Sequence, residues 1–151
     1  MLIDGVIALL SFQPTDSVPS AYAKYADRIT TVAGLIKGRV YENELPRGYV
    51  LPAVCVHQYG GTQDYDFAGP VDINEDQIQL DVYGADSLTC RTAAEAVRKL
   101  LEDFTGTLPD GTVVQGLYKE RDQAFPFLAH ADQKGIANRW MLGFRAVKQR
   151  V

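Results

Sequence analysis

Between Gln77 and Phe104 the hydrophobic period of the chain changes from two to 3.6 across one glycine, and this change constrains the fold more than any other feature. In "QIQLDVYG" the apolar Ile78, Leu80 and Val82 alternate with Gln77, Gln79 and Asp81. Alternation predicts a strand with one buried and one wet face, as in an antiparallel sheet; a strand buried on both faces reads as an unbroken apolar run. Beyond Gly84, the residues Cys90, Ala93, Ala94, Val97, Leu100, Leu101 and Phe104 form an apolar stripe at helical spacing. Asp86 or Ser87 is placed to cap the start of this helix and Gly106 to stop it, while Glu95 and Lys99 stand in the favourable i,i+4 order on the wet side. The spacing predicts a helix over 87–104 whose stripe packs on the strand face bearing Leu80 and Val82.

The other segments fit around that unit. Leu2, Ile3, Val6, Ile7 and Leu10 predict an N-terminal helix, in which Gly5 lowers the propensity and leaves stability to packing. "QPTDSVPS" breaks it. A second short helix is predicted with Ala21, Tyr25, Ile29 and Val32 on one face and Gly34 as its stop. An extended piece at Arg39–Tyr41 precedes a strand over Ala53–Tyr59, with Pro52 at its start and Gly60-Gly61 at its end. "TQDYDFAGPVDINED" is polar and turn-rich and reads as a long hairpin loop. "LPDGTVVQGLYKERD" reads as a turn and a third strand. "GIANRWMLGFRAVKQRV" reads as a fourth, with Trp140, Leu142, Phe144 and Ala146 on one face. The expectation is one α+β domain over 1–151, an antiparallel sheet of about four strands with helices packed on one face.

Charge and chemistry narrow the function classes. The net charge of -4, with Lys and Arg scattered, argues against a nucleic-acid binder, which needs a concentrated basic surface. Arg145, Lys148 and Arg150 read as a solvated strand end. The longest apolar run, Val6–Leu10, is far short of the roughly 20 residues of a membrane span, and no basic n-region makes it a signal peptide. Cys55 and Cys90 read as small buried hydrophobes in a reduced state. The strand-to-helix turn "YGADS" lacks a glycine-rich phosphate cradle, and its acidic Asp86 repels anions. In "DINED", Asp72, Asn74 and Asp76 are spaced like calcium ligands, but Gln77 and Tyr83 stand where the loop needs Gly and Glu. His57 and His130 lack zinc spacing. Cys55 and His57 share a strand face, and a small cytosolic hydrolase or isomerase using His57, Cys55 or Asp81 is the alternative reading. Such a dyad also needs an exposed thiol and an orienting group. No catalytic residue, cofactor or metal site is expected.

One composition asks for a binding explanation. Phe125, Phe127 and Leu128 flank Pro126 in the stretch from Arg121 to Ile136, and Tyr65 and Phe67 lie in the stretch from Gly60 to Glu75. Apolar loop residues either fold back over the sheet or mark a protein contact. Arg121, Asp122, Asp132 and Lys134 are placed as a polar rim. The candidate assembly interface is Tyr65, Phe67, Arg121, Phe125, Phe127, Leu128, Asp132 and Lys134.

The succession of an N-terminal helix, "GRVY", "LPAVCV", "QIQLDVYGADSLTCRTAAEAVRKLL" and "NRWMLGFRA" resembles the small tail terminator or tail completion (tail-to-head joining) proteins of long-tailed bacteriophages, from Gly38 to Val147. The resemblance implies an α+β subunit of a hexameric ring that caps the finished tail tube and docks it to the head connector or stopper proteins. It implies a place in the virion neck after assembly in the host cytoplasm, with no cofactor, membrane or nucleic-acid specificity. A head-to-tail ring needs two non-identical edges on each subunit, which an open antiparallel sheet with two long hairpin loops supplies. Mass in solution separates this expectation from the Cys55/His57 enzyme, since only a ring requires a large discrete oligomer.

Overall fold

The computed structural model describes residues 2–67, 69–102, 104–125 and 138–149. In chain order these form α1 (Leu2–Leu10), a 3₁₀ segment (Ser20–Tyr25), α2 (Ala26–Ile36), β1 (Val40–Glu42), β2 (Ala53–Asp66), β3 (Gly69–Gly84), α3 (Ser87–Glu102), β4 (Gly106–Thr107), β5 (Val113–Phe125) and β6 (Asn138–Gln149). The strand order is β1-β2-β3-β6-β5-β4. The alternating stretch of β3 lies at the centre, between β2 and β6, antiparallel to both.

Register explains the core. Val54 pairs with Val82 and Val56 with Leu80; on the other flank Leu80 pairs with Leu142 and Ile78 with Phe144. Side chains of directly paired residues lie on one face of a sheet. That face is apolar and buried, and all three helices share its core: Leu2, Val6 and Leu9 from α1, Ile29, Val32 and Ile36 from α2, and Ala93, Val97, Leu100 and Leu101 from α3. The whole stripe predicted for α3 is buried, including Cys90 and Phe104. Trp140 is half-buried against the same core. Tyr25 ties the first half of the chain to the end of α3. Its ring lies 4.9 Å from that of Phe104, and its hydroxyl accepts from the Thr105 amide at 3.0 Å.

Several expectations change. The sheet has six strands among the described residues, not about four, and β1 runs parallel to β2, so the sheet is not wholly antiparallel. Strands of two and three residues are too short to show a period in sequence. The stretch from Gly60 to Glu75 is no long loop: β2 continues through Gly60-Gly61 to Asp66 and returns from Gly69, with bulges at Gln58/Gly60 and Gln63/Tyr65. Alternation is a signature of burial on one face, and this polar hairpin has few apolar residues to show it, so only its backbone ladder reveals it. Arg121 to Phe125 likewise belongs to β5. Helix α2 passes through Gly34 and ends at Ile36, capped by Lys37, whose left-handed backbone (φ 54) precedes Gly38 (φ 75). Helix packing outweighs the cost of about 1 kcal/mol for one interior glycine. Ala21 is exposed while Tyr25, Ile29 and Val32 are buried. Finally, α3 ends at Glu102, and Gly106 belongs to β4 instead of stopping the helix.

Candidate assembly surfaces

Four antiparallel strands with known directions place the described candidate residues. β2 starts at Ala53 beside Tyr83 and ends at Asp66 beside Gly69, where Phe67 begins the turn into β3. β5 ends at Phe125, which pairs with Arg139 at the start of β6; Tyr83 pairs with the same Arg139. Phe67 and Phe125 therefore stand at opposite ends of the sheet. The separation is that of the 16 residues of β3, roughly 50 Å at a rise of about 3.3 Å per residue. The two groups expected to share one interface are not brought together.

Their environments differ as well. Phe67 is fully exposed. Tyr65 lies in β2 with Pro70 as its partner in register. Phe125 is half-buried, and the Arg139 guanidinium stacks 4.3 Å from its ring centroid. Arg121 is exposed on β5 opposite Gly143. Phe127, Leu128, Asp132 and Lys134 lie outside the described residues. Asp122 is not a free rim charge. It accepts from the Trp140 indole at 2.5 Å and from Lys119 at 3.1 Å. Burial raises its pKa, but these two donors outweigh it and hold the carboxyl below its ordinary value.

The helix-free face carries the pair that sequence singled out. Cys55 is the register partner of Asp81, and His57 Nε2 lies 3.1 Å from Asp81 Oδ2. Asp81, 4% exposed, also accepts from Gln79 at 3.3 Å. Arg139 Nε stands 3.5 Å away in an ion pair. One carboxylate thus links β2, β3 and β6. The thiol is wrong for a nucleophile: burial, then Asp81 and Glu44, push Cys55 up to about 11. Among the described residues no hydrogen bond joins it to His57. Asp76 is in β3 and pairs with Lys148 Nζ at 2.7 Å, and no group of three metal-ligating side chains occurs among the described residues. No described helix is long and apolar enough to cross a membrane.

Two residues escaped the sequence reading. Tyr59 on β2 and Tyr118 on β5 are 50% and 52% exposed. Each sits in a strand whose partners lie on one side only over most of its length. A tyrosine in a strand reads equally as core or surface, so only strand order places these two at the open edges.

The sequence model of the family described as Tail completion protein gp17 matches residues 27–147, more than three quarters of the chain. Among solved structures, a chain from "Virion of native gene transfer agent (GTA) particle" superposes with a TM-score of 0.52 at 24% identity. The match covers 78% of this chain and 83% of that one. At that identity the likeness is one of fold. No curated protein matches the chain.

Proposed function

The chain belongs to the tail completion protein gp17 family, and from that premise we propose that it is the ring subunit that caps a finished phage tail tube and joins it to the head. Membership makes it a structural protein of the phage tail. In the finer reading residues 1–151 are one domain, six copies form the ring, and the ring assembles in the host cytoplasm before residing in the virion neck. Its partners are the tail tube protein on one side and the head connector or stopper proteins on the other. No catalytic residue, metal or cofactor takes part.

The observation that carries this reading is the placement of Phe67 and Phe125 at opposite ends of the strands. A protein joining two different assemblies needs two separated contact regions, and aromatics are frequent anchors of such contacts. With the strands along the tail axis, one end meets the tube and the other the head. Electron micrographs of particles assembled without this protein test it. Overlong or unjoined tails are expected, and normal joined particles would overturn it.

A further inference from the structure

Among the described residues the sheet is open on both sides at the same height. β1 pairs with β2 only over Val54–Val56, and β4 pairs with β5 only over Val113–Val114. Among the described residues no strand pairs with the outer side of β2 from His57 onward, or of β5 from Gln115 to Phe125. Following the register across the sheet, His57 shares a row with Gln79, Gly143 and Arg121. Gly60 shares one with Gln77, Arg145 and Tyr118, and Thr62 one with Glu75, Val147 and Gly116. The open windows 57–62 and 116–121 therefore lie level with each other on opposite edges.

Strand direction makes these edges complementary. Three antiparallel steps separate β2 from β5, so the two run in opposite senses. A rotation about an axis along the strands preserves direction, and it brings β5 of one copy antiparallel to β2 of the next. The alternation continues across the seam unbroken. Tyr118 lies in the row of Gly60, the residue after Tyr59, so the exposed tyrosines of the two edges meet in such a pairing. Aromatic pairs across strands are stabilising. The edges are also guarded. Bulges at Gln58/Gly60 and Lys119/Arg121 fall in adjoining rows, and Lys119, Glu120 and Arg121 are exposed. Bulges and charges keep a free edge from pairing indiscriminately, so a partner edge must match their position, as a second copy does.

We propose that neighbouring copies join edge to edge, β5 of one pairing antiparallel with β2 of the next, with Tyr118 and Tyr59 packed across the seam. This rests on the ring reading above and names the contact that builds the ring. The test uses the full chain at a concentration where the wild type sediments as an oligomer. Under mild oxidation a Tyr59→Cys, Tyr118→Cys double variant is expected to give a ladder of covalent multimers, and each single variant none. The native thiols of Cys55 and Cys90 are buried and stay out of the reaction. Hydrogen exchange on the unaltered protein needs no variant to fold. Amides of 57–62 and 116–121 are expected to exchange about tenfold or more slowly in the oligomer than in dilute solution. Dimers from Tyr118→Cys alone would mean that two β5 edges pair with each other, and would overturn the proposal. An oligomer with neither ladder nor protection overturns the edge pairing and leaves the ring reading standing. A wild type that stays monomeric at every concentration, and with tail tubes added, overturns the ring itself.

Discussion

Gly84 lies against the backbone of Cys90: a Cβ built on the glycine would stand 2.7 Å from both the Cα and the amide nitrogen of Cys90. The last residue of β3 and the first turn of α3 are in contact with no room between them, and the Cys90 thiol lies 3.3 Å from the Val82 carbonyl. Backbone on both sides leaves nothing flexible to give way. Gly84→Ala is expected to cost about 1–3 kcal/mol by forcing helix and strand apart. A lowered urea midpoint with an unchanged slope checks it.

Leu101 has no exposed surface and sits among Leu80, Phe144 and the helix stripe. Leu101→Ala removes three heavy atoms from a packed site and is expected to cost about 2–5 kcal/mol. Equilibrium unfolding measures it, and a loss below about 1 kcal/mol would contradict the packing described.

Gly34 is exposed in the interior of α2, and a Cβ there would meet nothing within 4 Å. Gly34→Ala is therefore expected to stabilise by about 0.5–1 kcal/mol through lower backbone entropy in the unfolded chain. A rise in melting temperature, with the circular dichroism spectrum retained, is the readout.

Asp86 and Asp122 contribute to an acid limit. The Thr89 amide, donating at 2.7 Å, holds Asp86 below its ordinary value of 3.8, and Asp122 lies below it through the Trp140 and Lys119 donors. A depressed folded pKa contributes stability that is present above the unfolded value and lost as pH falls through the folded one. Stability should thus hold from neutral pH down to about 4 and decline below it. Asp122→Asn should show a shallower decline in urea titrations between pH 5 and 2, and an unchanged slope would refute the assignment.

Phe67→Ser should leave the melting temperature within experimental scatter, because the ring is fully exposed. Complementation of tail assembly should fall if this hairpin end meets a partner. Cys55→Ala with His57→Ala serves as the contrast. It should cost stability through lost packing while the folded protein still completes tails. A turnover present in the wild type and absent from that double variant would bring back the enzyme.

The sequence by itself determined the elements that bury one face. Ile78, Leu80 and Val82, the stripe from Cys90 to Phe104, and Trp140 to Ala146 all lie where their periods place them, because burial forces apolar residues to recur at the spacing of the backbone. Asp86 was legible as a cap because a cap acts within three residues. Tertiary structure alone decided what depends on distant pairing. The polar hairpin from Gly60 to Glu75, the two-residue β4 and the parallel pairing of β1, read in sequence only as an extended piece at Arg39–Tyr41, exist through ladder hydrogen bonds, which leave no apolar period. The link from Asp81 to His57 and Arg139, the placement of Phe67 and Phe125 at opposite ends, and the level edges bearing Tyr59 and Tyr118 all follow from strand order. Strand order is set by which long-range pairings bury the common core, and no local spacing encodes it.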